Sequence, residues 1–212
     1  MQEHEHEHSH DAHAPLTGEH ELLSYAKRAY AIRSLLIEKG VVTADGIRRA
    51  IEYIDSRSPA LGAKVIARAW VDPAFKARLL ADAKAAIAEL GIDIGSLSTL
   101  VAIENTEKMH NMVVCTLCSC YPRTLLGVPP DWYKSLNYRS RVVVDPRGVL
   151  KEFGLELPSD VEVRVYDSTA DMRYLVIPTC PSGTEGMSEE ELADLVTRDS
   201  MIGVAQARMP GM

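Results

Sequence analysis

The order of elements along this chain predicts an α+β protein with helices first, strands later and one closing helix. Apolar residues recur at helical spacing through residues 22–91, and runs of strand character begin only at residue 100. Ser188 and Glu191 then form a capping box after the last strand. Helix and strand are segregated rather than alternating, which argues against a doubly wound sheet.

Residues 1–18 carry His4, His6, His8 and His10 between Glu5, Glu7 and Ser9. Nothing in that stretch can build a core, so a disordered His/Glu-rich tail is expected, with weak divalent-metal binding as the other reading. Residues 19–57 predict a helical arm. Leu22, Leu23, Ala26, Ala29, Tyr30, Arg33 and Leu36 form one stripe, closed by Gly40. Thr43 caps a second helix through Ile47, Ile51 and Ile54, which ends near Ser58 and Pro59. Periodicity leaves open whether the pair caps its own domain or lies over a partner.

Residues 58–205 predict the globular domain, and residues 206–212 a C-terminal tail. A third helix is expected over residues 61–70. A fourth starts with Asp72 as cap and Pro73 at the first helical position, and runs through Phe75, Leu79, Ala83 and Ile87 to Gly91. Trp70 and Phe75 read as core. Strands are expected at residues 100–103, 112–114, 141–144, 161–166 and 173–177, the fourth alternating cleanly. Pro129 and Pro130 make a rigid turn into a short helical segment. Residues 149–153 read as a helical turn ending at Gly154, and the last helix runs through Leu192, Leu195 and Val196.

A chain of 212 residues supports one substantial core with appendages. Its formal net charge of -7 argues against nucleic acid or an anionic membrane as the main partner. No apolar run has the length of a membrane span, and the opening residues do not read as a secretory signal. A cytoplasmic location is therefore expected. Clustered cysteines without matched partners agree with a reducing compartment and a metal or catalytic role.

That cluster is Cys115, Cys118 and Cys120, three of the four cysteines in the chain. Cys115 and Cys118 are spaced so that one tight turn aims both at a single ion. Cys120 lies so close to Cys118 that the backbone must fold against the ion for all three thiolates to reach it. The amide nitrogens of Ser119 and Cys120 then come within bonding range. Three sulfurs and two amide nitrogens leave a sixth position for water or substrate. Soft thiolates select cobalt, iron, zinc or copper, and planar amide nitrogens suit Co(III) or low-spin Fe(III) rather than tetrahedral zinc. A CxxC pair alone would also serve zinc or redox chemistry. A closed zinc site needs a fourth ligand, for which His110 and Cys180 are the candidates. Cys180, isolated between Thr179 and Pro181, is expected as a small buried hydrophobe. His110 is expected to make structural hydrogen bonds, with a place beside the metal or a ligand role as the other readings.

Val114-Cys115-Thr116-Leu117-Cys118-Ser119-Cys120-Tyr121-Pro122 resembles the signature of nitrile hydratase α subunits. The likeness extends to Leu126-Gly127-Val128-Pro129-Pro130-Asp131-Trp132-Tyr133-Lys134, Glu104-Asn105-Thr106, Arg173-Tyr174-Leu175-Val176, Gly183-Thr184-Glu185-Gly186 and residues 196–203. It covers about residues 20–204. The metal-bearing subunit of thiocyanate hydrolase carries the same loop.

The resemblance implies a layered α/β/β/α-type domain behind the helical arm. It implies one non-corrin Co(III) per chain, or Fe(III) as the alternative, held by Cys115, Cys118, Ser119 and Cys120. Cys115 would be the axial thiolate, Cys118 a sulfinic acid and Cys120 a sulfenic acid, with the Ser119 and Cys120 amides completing the plane. Thr116 and Tyr121 resemble the cobalt class. The implied activity is hydration of a small nitrile to its amide, with Cys118 and Cys120 as the catalytic residues. The Cys120 sulfenate would attack the nitrile carbon or activate water. The implied partner is a β subunit in an αβ heterodimer or α2β2 heterotetramer, supplying arginines for the oxidised sulfurs, with a maturation chaperone as a further partner. Tyr121 is expected beside the loop or in the core, and Trp132 and Tyr133 in the wall. Two departures stand out. Arg123 and Thr124 replace a common Trp-Pro, and Cys180 stands where arginine or methionine is commoner. Thiocyanate hydrolysis is the competing activity, and metal storage or delivery, raised by the His-rich tail, the non-enzymatic one.

Overall fold

The computed structural model describes residues 19–95 and 99–211, with side chains from residue 24 onward. The stretch expected as a His/Glu-rich tail lies outside the described residues. Two units divide the chain, Met1–Ile51 and Glu52–Met212. The first holds α1 (Glu19–Glu38) and most of α2 (Ala44–Asp55). Thr43 Oγ1 accepts from Gly46 N–H at 3.0 Å, the cap expected from the sequence. Tyr25, Tyr30, Ile32, Leu35 and Val41 are all exposed, and α2 has no buried residue.

The second unit opens with α3 (Pro59–Val71), whose Ala63, Val65, Ile66, Ala67 and Ala69 are buried. Gly62 lets this helix approach its neighbours closely, because a Cβ there would sit 2.4 Å from Leu126 and 2.7 Å from the Met201 sulfur. Asp72 then caps α4 (Pro73–Ala81), accepting from Ala74 and Phe75 N–H at 2.9 Å. The single helix expected through Gly91 is two helices. Asp82 is extended, at φ -147° and ψ 91°, and its carboxylate accepts from Ala85 N–H to start α5 (Ala83–Glu89). A side chain that favours the cap position has overridden continuous apolar periodicity.

β1 (Thr99–Glu104) and β2 (Met109–Val114) follow, joined by a tight turn in which Thr106 and Met109 bridge. They diverge into separate sheets. Four short helices come next: α6 (Arg123–Leu126), α7 (Asp131–Lys134), α8 (Leu136–Arg141) and α9 (Pro146–Glu152). β3 (Glu162–Asp167) pairs in parallel with β2, and β4 (Met172–Ile177) in parallel with β1. The chain closes with α10 (Glu189–Leu195) and α11 (Arg198–Ile202). Ser188 and Glu191 form the expected capping box, and Thr197 with Ser200 forms a second one. Beyond α11, Ala207 is buried and Arg208 N–H donates to Leu195 O at 2.8 Å.

The strand expected at residues 141–144 is absent. α8 ends at Arg141, Val142 is right-handed helical and buried, and Val143 and Val144 are exposed. Ser135 caps α8 and Asp145 caps α9, and Val144 and Asp145 N–H both donate to Arg141 O. Caps on either side leave the β-branched run no sheet edge to join, so its propensity does not decide its conformation. Phe75, Ile66, Leu79, Met112, Leu125, Leu175 and Met201 fill the core between α3, α4 and the strands. Trp70 is half-buried against that core and donates Nε1–H to Pro178 O at 2.8 Å.

Candidate metal centre

β2 delivers the cysteine loop. Met112, Val113 and Val114 are buried, and the strand runs directly into buried Cys115. Parallel register sets Val114 opposite Asp167, at the end of β3. The Asp167 carboxylate accepts from Thr116 N–H at 3.0 Å and from Thr116 Oγ1–H at 2.6 Å. Arg139 of α8 reaches the same turn, its Nε–H donating to Cys115 O at 3.0 Å. Its Nη2 donates to Thr116 O and Leu117 O, both at 2.6 Å. Tyr133 of α7 is fully buried and donates its hydroxyl to Cys120 O at 2.8 Å. The beginning, middle and end of the loop are thus held by separate elements.

Within that frame the three sulfurs converge, all lying within 4.8 Å of one another. Cys115 Sγ and Cys118 Sγ are 3.7 Å apart, and Cys118 Sγ and Cys120 Sγ 3.0 Å apart. Neither distance is a disulfide, which requires about 2.05 Å, and all three cysteines are free. Thiolates about 2.3 Å from one ion lie roughly 3.3 Å apart at right angles and roughly 3.8 Å apart in a tetrahedron. The observed pair distances, one near the tetrahedral value and one nearer the right-angled value, fit one shared ion.

Ser119 has φ 65°, the one non-glycine residue with positive φ among the described residues. Left-handed backbone at a residue with a Cβ costs of order 1 kcal/mol, a local strain that marks a shape imposed by the surrounding contacts. It falls between Cys118 and Cys120, where their spacing leads one to expect a fold-back of the backbone. The three converging sulfurs fit a thiolate-bound metal.

Electrostatics separate the thiols. Burial pushes the Cys115 thiol up, but the N–H groups of Cys118, Cys120 and Leu117 outweigh it and bring it down to about 7. Burial, the Cys118 side chain and the Cys115 charge push Cys120 up to about 12, against the opposing charge of Arg173. Cys115 thus ionises before Cys120, and an ion that takes the thiolates must displace protons.

Neither candidate for a fourth zinc ligand joins the cluster. His110 stands at the other end of β2, roughly 16 Å of strand before Cys115. It is buried, with Nε2 2.7 Å from Gly203 O and Nδ1 3.3 Å from Asn105 Nδ2. That partnership fixes the neutral tautomer with Nε2–H donating, the structural role among its expected readings. Cys180, expected to be buried, is instead exposed, 3.4 Å from Thr184 Oγ1. It follows β4 in a loop punctuated by Pro178 and Pro181, which carries it out of the core. It lines a cavity of about 420 Å³ together with Thr106 and His110, beside the start of β2 rather than its end.

Arg123 is exposed. Tyr121 is buried, its ring edge-on to Tyr133 at 5.2 Å, and burial raises its phenol well above the usual range. Trp132 packs edge-on against Tyr133, Tyr138 and Phe153. Sequence reading missed Arg139, Asp167 and the Tyr133 hydroxyl as partners of the loop.

A thiolate-lined loop on a buried strand end, its peptide planes fixed by an arginine, an aspartate and a tyrosine, defines a metal-centre chain. The family model "Nitrile hydratase, alpha chain" matches residues 23–205, and this chain belongs to that family. A low-molecular weight cobalt-containing nitrile hydratase subunit alpha from Rhodococcus rhodochrous is 50% identical over 202 residues, covering 94% of this chain and 98% of the relative. Among solved structures, a recombinant thiocyanate hydrolase with partially modified cobalt centres superposes with TM-score 0.85 at 41% identity, covering 89% of this chain and 91% of that one. A double mutant of the Fe-type nitrile hydratase from Comamonas testosteroni Ni1 gives TM-score 0.84 at 43% identity, covering 89% of this chain and 92% of that one. These matches agree with the α+β architecture expected from the sequence.

Proposed function

We propose that this chain is the metal-bearing α subunit of a cobalt-type nitrile hydratase, hydrating a small nitrile to its amide with a β subunit as partner. The observation that carries the reading is the convergence of Cys115, Cys118 and Cys120 around a left-handed Ser119. Cys115, Cys118 and Cys120 would hold the ion through sulfur, and Ser119 and Cys120 through their amide nitrogens. Co(III) is the assigned ion, with Fe(III) the alternative. A trivalent ion there supplies Lewis acidity toward the nitrile.

The protein's own groups do the rest. Cys115 is buried, Cys118 exposed and Cys120 between them. This gradient supports Cys115 as the shielded thiolate and the other two as the sites that an external oxidant, dioxygen or a peroxide, would reach, Cys118 losing four electrons to become a sulfinic acid and Cys120 two to become a sulfenic acid. Their oxygens would draw electron density from the Cys118 and Cys120 sulfurs. The Cys120 sulfenate oxygen would either take a proton from attacking water or attack the nitrile carbon itself, in which case water would then release the amide and restore the sulfenate. On either route the net change is addition of one water, with one oxygen ending on carbon and two protons on nitrogen. Tyr133 and Arg139 hold the loop on either side of these sulfurs, and Trp132 braces Tyr133.

The oxidised sulfurs need donors, and Arg139 is committed to carbonyl oxygens. A β subunit supplying arginines completes the site. Residues 19–57, with Tyr25, Tyr30, Ile32 and Leu35 exposed, serve as the arm that contacts it in an αβ or α2β2 assembly. The globular catalytic domain is residues 58–205. A cytoplasmic location accords with free thiols and with the lack of any helix, among the described residues, long and apolar enough to cross a membrane.

Thiocyanate hydrolysis is the second reading, favoured by the close superposition with a thiocyanate hydrolase. Co-expression with a β-type partner in medium containing both metals separates these readings. Cobalt near one per chain and amide release from a small nitrile support the proposal. Turnover of thiocyanate but not nitrile refutes it, as does an iron-filled active enzyme for the choice of metal.

A further inference from the structure

We propose that Arg139 is the positioning residue that sets the peptide planes of the cysteine loop. This inference rests on the metal-centre reading of that loop. Successive carbonyls along an extended chain point to opposite sides. Here Cys115 O, Thr116 O and Leu117 O all converge on one guanidinium, at 3.0, 2.6 and 2.6 Å. With three consecutive carbonyls turned outward, the following N–H turns inward, and Cys118 N–H lies 3.3 Å from Cys115 Sγ. The same rotation that satisfies Arg139 aims amide nitrogens at the sulfur cluster.

Nothing apolar performs this task. Leu117, at the loop's tip, is 85% exposed, so burial does not hold the turn. Asp167 grips only the Thr116 N–H and hydroxyl, on the donor side of the peptide. Arg139 holds the acceptor side, where a planar guanidinium fork presents several N–H groups in a fixed geometry that a lysine ammonium lacks. Its own placement is fixed from below. Ser135 caps α8, and Tyr138, the preceding residue, donates its hydroxyl to Val113 O at 2.8 Å. α8 is thereby tied to the strand that delivers the cysteines.

The test uses the chain co-purified with its β-type partner, metal-free and cobalt-loaded, as wild type, Arg139→Gln, Arg139→Lys and Arg141→Gln. Arg141 is the control. It lies on the same helix but pairs with Glu152 on the surface. In the metal-free complex, amide hydrogen exchange in residues 115–120 should quicken about tenfold or more in Arg139→Gln, as expected on losing charge-assisted hydrogen bonds. Arg139→Lys should fall between, and Arg141→Gln should match wild type. In the loaded complex the sulfur-to-cobalt absorption band should shift and cobalt loss to a chelator should quicken in Arg139→Gln. The kcat should fall with little change in KM.

Unchanged exchange at residues 115–120 in Arg139→Gln overturns the inference, as does an equal effect in Arg141→Gln. If Arg139→Gln does not accumulate, Arg139→Lys carries the same comparison. The exchange measurement needs neither cobalt nor turnover. A wild-type complex that takes no cobalt, or hydrates no nitrile, refutes the proposed function and not the role of Arg139 in shaping the loop.

Discussion

Gly203→Ala should damage this fold more than any other single added methyl group near the metal loop. Gly203 ends α11 in the left-handed region, at φ 89°. A Cβ there would lie 1.9 Å from Asn111 O, 2.9 Å from Asn111 C and 3.0 Å from Met112 Cα. Those atoms are backbone of β2, the strand that delivers Cys115, and cannot swing aside as a side chain can. Gly203 O also accepts a hydrogen bond from His110 of the same strand. Left-handed strain alone contributes about 1 kcal/mol. Relieving the overlap means moving packed strand against helix by about an ångström, which brings the total to roughly 2–4 kcal/mol. At about 2–4 °C per kcal/mol for a chain of this size, melting should fall by roughly 10 °C. Gly154→Ala separates the two causes. Its φ is 82°, but nothing lies within 4 Å of the added carbon, so only the strain of about 1 kcal/mol should appear. Thermal melting of both variants beside wild type decides the matter. A Gly203→Ala loss no larger than that of Gly154→Ala would refute the reasoning from close approach.

Replacing Cys120 by serine should abolish amide release, whereas Cys180→Ser, at an exposed position remote from the cluster, should leave turnover and cobalt content as in wild type. Assays of both variants check this. Burial holds the His110 imidazole below its usual 6.5, against the bond to Gly203 O, which raises it. Above 6.5 the folded and unfolded forms are both neutral and the contribution is complete. As pH falls below 6.5 the unfolded chain takes up a proton that the folded chain resists, so stability is lost. Denaturant titrations across that range should show this slope, and His110→Gln should flatten it.

Much of the site was legible because its chemistry is local. The spacing of Cys115, Cys118 and Cys120 announces convergence on one ion and demands an unusual backbone, which the structure supplies at Ser119. Caps at Asp72 and Ser188 were readable for the same reason, being bonds across two or three residues. The errors have a common origin. Asp82 interrupts a helix whose apolar pattern continues without a break, and residues 141–144 have strand composition but no neighbouring edge. The groups that hold the loop come from far along the chain. Asp167 meets Thr116 only because β3 pairs in parallel with β2, and Arg139 only because α8 is anchored to Val113. No local period or spacing in one sequence encodes such meetings.

X-ray absorption at the cobalt edge of the co-purified complex addresses the metal loop itself. It should show cobalt bonded to a mixed shell of about three sulfurs with nitrogen or oxygen neighbours. A shell of nitrogen and oxygen alone would place the metal elsewhere, in the His-rich stretch for instance, and would contradict ligation by Cys115, Cys118 and Cys120.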